Sequence, residues 1–491
     1  MPINTSGDRC CASCRSQSWC NQPFHVHYSS SSLRPFSYSH GLPALNDLLF
    51  TQAEHQAASQ LTAQFIEDYL SSVEERPVYP VIDRPALRAI MDQPLAMDPL
   101  TLEDLFAELD SVVVPNATHT AHPRFLSYVM PTPNGISPFA ETIAATLNQN
   151  CNLWTLSPSA NAVEQKVVRW LAEIVGAGSA ASGIITSGGS VANLIGLTAA
   201  RDQCLGDTAR THGLQGRQSP LTLYTSEEAH SSIDKAVSQL GLGVEHLRKI
   251  ATDDNFRIRV DLLRERVAQD RRDGFSPFCV VASAGTVTTG AFDPLDEIAT
   301  FCAEEGLWLH VDGAYGALSA LSERFRGQLQ ALKRADSISL DPHKFLFTSF
   351  EAGCILVKDI KTLEHSYRVA PSYLAKEDDP DFVNFSDLGP QLSRGFKALK
   401  IWWSLRYFGK AAYVATVERM ADLAQQMGQI ASASPDFELV APVTFNAVCF
   451  RVAALDDDEN RSVLRRLVES GTAFLGPANV KGRFAMRACF M

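Results

Sequence analysis

Leu307-Trp308-Leu309-His310-Val311-Asp312-Gly313-Ala314 and, further along, Ser337-Ile338-Ser339-Leu340-Asp341-Pro342-His343-Lys344 share one plan. Each is a short apolar run of strand length that ends on a charged residue among small or chain-turning ones. Such runs, bounded by Gly or Pro, read as buried strands. Other short apolar runs of strand length lie at residues 183–186, 221–224, 279–282 and 354–357, with helical or long polar segments between most of the runs. That alternation predicts an α/β layer with a largely parallel central sheet, because parallel neighbours need a crossover connection. In such sheets ligands gather beyond the carboxyl ends of the strands. Chemistry is therefore expected just after each run.

Four strand ends carry unusual residues. Ser187-Gly188-Gly189-Ser190 stands between the run at 183–186 and a helical stretch at 191–201. Glycines let a ligand approach the backbone, and a helix N-terminus offers free N–H groups, so a phosphate fits there; a glycine turn with a serine cap fits equally well. His230, in Ser226-Glu227-Glu228-Ala229-His230-Ser231-Ser232, can stack on a flat ring or shuttle a proton, or simply stand at a helix start. Asp312 can pair with a heterocyclic nitrogen and keep it protonated; taken alone it reads as a capping aspartate. Lys344 is flanked by His343 and the apolar pair Phe345-Leu346, surroundings that favour the amine form and Schiff-base chemistry, whereas an arbitrary lysine is a solvated one. No single motif decides. A phosphate loop, a stacking imidazole, a pyridinium acid and a lysine, each behind its own strand, together describe a site for pyridoxal 5′-phosphate.

Outward from this core, the most regular helical pattern follows Ser157-Pro158, where Val163, Val167, Trp170 and Ile174 share a face and Gly176 stands at the stop. Residues 359–393 are long, polar and strand-poor, as a functional lid would be. The apolar stretch 395–407 reads as a helix leading to a smaller C-terminal domain. The chain has 491 residues, 45% hydrophobic and 20% charged, with a formal net charge of −12. That charge and the lack of a long basic run argue against nucleic acid as a partner. No run approaches the ~20 apolar residues of a membrane span. Residues 1–40, rich in Ser, Cys and Arg, read as a disordered tail. Its Cys10, Cys11, Cys14 and Cys20 match no standard zinc spacing, so no metal is expected. The other seven cysteines are scattered singly, as in a reducing, cytoplasmic compartment.

The motifs resemble the group II pyridoxal-phosphate decarboxylases, which include aromatic L-amino-acid, histidine, glutamate and cysteine sulfinate decarboxylases. The likeness runs from about His122 to the end. It rests on HPRFLSYV (residues 122–129), Ser157-Pro158 with Glu164, TSGGSVANL, EEAHSSIDKA, AGTVTTGAFDP, WLHVDGAYG, DPHKFLF and APSYL. The resemblance implies fold type I, with a helical arm over residues 41–134, a cofactor domain over 135–398 and a small α+β domain over 399–491. It implies a homodimer with shared sites and decarboxylation of an L-amino acid, an aromatic one expected, to its amine. By position, Lys344 would bind the cofactor as a Schiff base and Asp312 would hold the pyridine nitrogen. His230 and the Ala314 methyl would cover the two ring faces, and Thr286 would support the ring side. Gly189, Ser190 and His343 would bind the phosphate. Tyr373, in the expected lid, would be the proton donor to the product carbon. Arg394, which matches a family arginine, would belong to the substrate pocket with Asn152, Phe125 and Tyr128, the last two making its wall partly aromatic.

Three departures stand out. Asn152 occupies the partner-chain position that is Phe in animal aromatic decarboxylases, which weakens the aromatic assignment. The chain stops at Arg487-Ala488-Cys489-Phe490-Met491, inside a strand motif that runs on in the family, which leaves the small domain truncated and its stability in question. The N-terminal tail has no family counterpart. Two other outcomes therefore stay open: a related enzyme forming an aldehyde or transaminating, and a catalytically impaired partner subunit.

Overall fold

The computed structural model describes residues 48–95, 98–369, 379 and 381–491; the N-terminal cysteines, Tyr373 and most of the expected lid lie outside them. Contacts divide the chain into residues 1–57 and 58–491. In the first unit the helix Gln52–Ser72 begins with a reciprocal cap, in which Thr51 N–H donates to Glu54 Oε2 (2.6 Å) and Glu54 N–H donates to Thr51 Oγ1 (3.3 Å). The second unit holds two sheets.

Strand β1 (Phe125–Leu126) belongs to the smaller sheet. The larger one contains β2 (Ser182–Thr186), β3 (Leu221–Ser226), β4 (Leu247–Ile250), β5 (Ser276–Ser283), β6 (Trp308–Asp312), β7 (Ser337–Leu340) and β8 (Gly353–Val357). Their order is β2-β8-β7-β6-β5-β3-β4. β8 runs antiparallel to both β2 and β7, and the remaining pairs are parallel. Residues 341–352, which hold the short helix Pro342–Phe345, join β7 to its antiparallel neighbour β8. Six of these strands coincide with the runs read from the sequence. The seventh, β4, is Leu-Arg-Lys-Ile at the sheet edge, paired only with β3, and its two central cations hide it from an apolar-run reading.

The helix Pro158–Val175 ends at Gly176 in the left-handed conformation (φ 67°), as expected. Its buried face, however, is Ala160, Glu164, Val167, Val168, Leu171 and Val175, while Val163, Trp170 and Ile174 lie at the margin, only half-buried. The helix Gly189–Leu205 lies on the sheet, with most of its residues buried. Within 359–393 the described residues include a helix, Lys361–Tyr367, and a short turn, Phe385–Asp387. The helix expected near 395–407 is Ala398–Ala433, interrupted at Gly409 (φ 70°).

The smaller sheet adds β9 (Phe437–Leu439), β10 (Ala447–Val452), β11 (Phe474–Val480) and β12 (Arg483–Cys489), in the order β1-β11-β12-β10-β9. β11 and β12 are joined through Lys481 and Gly482, both with positive φ (49° and 81°), the conformation of a tight hairpin turn. β12 is flanked on both sides, and its Ala485, Ala488 and Cys489 are fully buried. The helix Asp457–Glu469, opened by a capping box between Asp456 and Glu459, completes this layer.

Candidate active site

The carboxyl ends of β2, β6 and β7, the loop after β5 and His230 beyond β3 meet around a cavity of about 260 Å³. Gly189, Ser190, His230, Thr286, Asp312, Ala314, His343 and Lys344 all line it. One physical cause assembles them: parallel strands bring their ends to the same edge of the sheet. The glycine loop is packed tightly from behind, since a Cβ added at Gly189 would sit 2.8 Å from the Ala314 Cβ and 3.0 Å from Asp341 Oδ2. Only glycine leaves room there for the helix N-terminus to face the cavity.

Lys344 is half-buried, and its surroundings differ from the apolar ones expected. Its Nζ lies 3.0 Å from Asp341 Oδ2, an ion pair with a buried carboxylate. Asp341 also approaches His343 Nε2 (3.5 Å), and among the described residues its Oδ1 has no hydrogen-bond partner. The buried His343 places Nδ1 2.7 Å from the Ala352 carbonyl and rests its ring against Phe350. Burial pushes its pKa down, against the pull of Asp341.

Asp312 is 8% exposed and accepts three hydrogen bonds: from Asn193 Nδ2 to Oδ2 (3.0 Å), and from Ser339 Oγ (3.1 Å) and Ala314 N–H (3.2 Å) to Oδ1. His230 receives the Ser232 N–H at Nδ1 (3.1 Å). Desolvation in the cavity lowers its pKa first of all, while the Asp312 charge raises it. The Thr286 hydroxyl is engaged within its own loop, with Thr289 Oγ1 (3.0 Å) and Ala291 N–H (3.0 Å).

The remaining expected site residues lie elsewhere in this chain. Arg394 is a buried clamp: its guanidinium donates to the carbonyls of Cys151 and Ile185 (2.8 Å each) and to the buried Glu164, and it lies over the Phe385 ring. Phe125 is buried against Phe474, with ring centroids 5.2 Å apart. Asn152 is buried, its Oδ1 accepting the Leu153 N–H. Tyr128 is exposed, at a positive φ of 57°. Sequence reading passed over Asp341, Asn193 and Ser232, all in the cavity wall. Asn193 was legible in principle, lying one helical turn after Gly189 and so on the same face.

This donor set fits pyridoxal phosphate: a helix N-terminus with serines and an imidazole for an anion, a carboxylate for a ring nitrogen, and a lysine in the wall for an aldehyde. A family model described as the pyridoxal-dependent decarboxylase conserved domain matches residues 85–453. The chain belongs to that family. It is a pyridoxal-phosphate carboxy-lyase acting on an amino acid, built on fold type I. The aromatic-L-amino-acid decarboxylase of Bacillus atrophaeus is 32% identical to it over 453 residues, covering 90% of this chain and 92% of the relative. The phenylacetaldehyde synthase of Arabidopsis thaliana is 29% identical over 444 residues, covering 87% and 89%. Oryza sativa TDC, solved with PLP and tryptamine, matches with a TM-score of 0.85 at 29% identity, over 90% of this decarboxylase and 94% of that chain.

Proposed function

We propose that the decarboxylase converts an aromatic L-amino acid to its amine and carbon dioxide, in a cavity where Lys344 carries the cofactor. The convergence of Lys344, Asp312, His230, His343 and the Gly189 loop on one cavity carries this reading. Bound pyridoxal phosphate supplies the electron-accepting ring that lets the bond to the substrate carboxylate break. The protein's part is placement. Asp312 would meet the ring nitrogen, and its three donors hold the carboxylate in a fixed orientation for that contact. His230 and Ala314 face the ring, and Thr286 stands at its side. The helix N-terminus at Gly189, with Ser190 and His343, holds the phosphate. Asp341 holds the Lys344 ammonium in the cavity wall, where the lysine would meet the cofactor. Tyr373, in the segment read from the sequence as a lid, would give the product carbon its proton. The aromatic substrate is supported by the names of the relatives.

The enzyme acts as a homodimer with shared sites, in which Tyr128, Phe125 and Asn152 belong to the wall that meets the partner's substrate. Phe139, Ile143 and Leu147 support this, because they expose an apolar stripe along the helix Ser137–Leu147. The division into arm, cofactor domain and small domain follows the family. The seven described cysteines are free thiols, in keeping with the cytoplasm.

The test is to incubate the chain and the cofactor with the common amino acids, and to reduce the complex with borohydride before peptide mapping. Equimolar amine and carbon dioxide from an aromatic substrate are expected, with a pyridoxyl adduct on Lys344. An adduct on another lysine overturns the site. The likeness to an aldehyde synthase supports a second reading, in which ammonia and peroxide accompany the carbon dioxide.

A further inference from the structure

From the cavity wall inward runs a chain of polar side chains that the reading above uses only where Asn193 meets Asp312. Trp308 and His310 stand on β6, Ser337 opens β7, Asn193 lies on the helix Gly189–Leu205, and Ser232 opens the helix Ser232–Gln239. Ser337 Oγ is 2.9 Å from Trp308 Nε1 and 2.8 Å from His310 Nδ1. His310 Nε2 is 2.9 Å from Asn193 Oδ1. Asn193 Nδ2 in turn reaches both Asp312 Oδ2 (3.0 Å) and Ser232 Oγ (2.9 Å), and Ser232 Oγ is 2.8 Å from His230 Nδ1. His310, Ser337, Asn193 and Ser232 are at most 2% exposed. Gly196 makes room for the imidazole, because a Cβ there would lie 2.7 Å from His310 Cε1.

The two ends of the chain set its direction. An indole nitrogen only donates, and a carboxylate only accepts. From the carboxylate end, Asn193 must turn its NH₂ to Asp312, which leaves its carbonyl for His310, so the His310 proton sits on Nε2. From the indole end, Trp308 donates to Ser337, and with its own proton turned to His310 Nδ1 the Ser337 hydroxyl fits the same Nε2–H form. The second Asn193 hydrogen goes to Ser232, whose hydroxyl and N–H both point to His230 Nδ1, leaving the His230 proton on Nε2 as well.

We propose that Asn193 is a positioning residue that orients Asp312 and His230 with one amide group, and that His310 holds that amide in its working orientation. This rests on the reading of Asp312 and His230 as cofactor residues. If Nε2 of His310 did not donate, the amide could turn over, set its carbonyl against the Asp312 carboxylate and abandon Ser232. Two groups on different sides of the cofactor would lose their alignment together. Burial keeps His310 neutral, with a pKa lowered to about 4, so the Nε2–H form persists at neutral pH.

The experiment compares His310→Gln with His310→Asn in the full chain. The Gln amide reaches the place of Nε2 and can still donate to Asn193, whereas the Asn amide stops near the place of Nδ1. Cofactor dissociation constants and the pH titration of the bound cofactor's visible absorption are measured for each. His310→Asn is expected to weaken cofactor binding at least about tenfold, the scale of one hydrogen bond to a charged group, and to displace the titration. His310→Gln is expected to stay close to wild type in both. Equal losses in both variants with an unmoved titration overturn the proposal, since that is the behaviour of a merely structural histidine. ¹⁵N-histidine NMR of the wild-type chain without cofactor tests the same network without a variant or a bound ligand. A His310 proton on Nε2 is expected, and one on Nδ1 refutes the network. A wild-type chain that gives neither visible absorption nor an adduct on Lys344 refutes the site reading instead.

Discussion

Replacing Arg394 with methionine removes a buried cation from a site where everything around it depends on the charge. The guanidinium ties Cys151, before the helix Pro158–Val175, to Ile185 on β2 and to Glu164 on that helix. Glu164 and Arg394 are 1% and 4% exposed at their side chains, and after the substitution the carboxylate keeps, among the described residues, only the Ile185 N–H (3.1 Å) as a partner. Breaking a buried pair by removing one member costs about 3–5 kcal/mol, because the other charge is left uncompensated. Against a native stability on the order of 5–15 kcal/mol, such a loss is large. Urea unfolding followed by fluorescence is expected to show it in Arg394→Met. The double variant Glu164→Gln with Arg394→Met should recover much of the loss, since a neutral amide can still accept from Ile185 N–H. The Michaelis constant of the folded fraction should stay near wild type. Unchanged stability within about 1 kcal/mol, together with a raised Michaelis constant, would refute the clamp and return Arg394 to the substrate pocket.

Asp312→Ala should retain some cofactor and lose turnover by several kcal/mol of transition-state stabilisation, roughly the scale of a preorganised charge-assisted contact; near-normal turnover with cofactor bound contradicts the assignment. Gly189→Ala should weaken cofactor binding, because the new methyl meets Ala314 Cβ at 2.8 Å, and fluorescence titration reads the change. Tyr373→Phe should lose amine and gain aldehyde, ammonia and peroxide under air, and an unchanged amine yield removes Tyr373 as the proton donor. Acid should expose His310. Its pKa falls from 6.5 to about 4 on folding, so between those values the unfolded chain binds a proton that the folded chain refuses. The stability it contributes is present above pH 6.5 and lost as the pH falls through that window. The difference in unfolding free energy between wild type and His310→Gln should therefore shrink toward low pH, and parallel curves count against it.

Much of the site was legible because its signals are local. A short apolar run with Asp312 at its end, or with Lys344 four residues beyond it, announces both a strand and a charged residue near its carboxyl end, and parallel packing then gathers those ends whatever the side chains are. The helix Pro158–Val175 shows where local reading stops. Its start and its Gly176 stop were plain, but the face chosen from apolar residues alone omitted Glu164, because a buried carboxylate looks like a solvated one until its partner is placed. The edge strand β4 was hidden for a similar reason, as its cations are stable only where one side of the strand meets water.

The sequence by itself determined the layered α/β architecture and the order of the strand-end motifs, and its motifs carried the family resemblance that pointed to Thr286 and Ala314. The architecture follows from periodicity and short-range chain stereochemistry, which act within a few residues. Tertiary structure alone decided that Arg394 meets Glu164, 230 residues away, and that Asn193 reaches Asp312 across 119 residues. Whether a buried polar group is satisfied depends on which elements pack against it, and at such separations only the packed fold can set a donor within 3 Å of its acceptor.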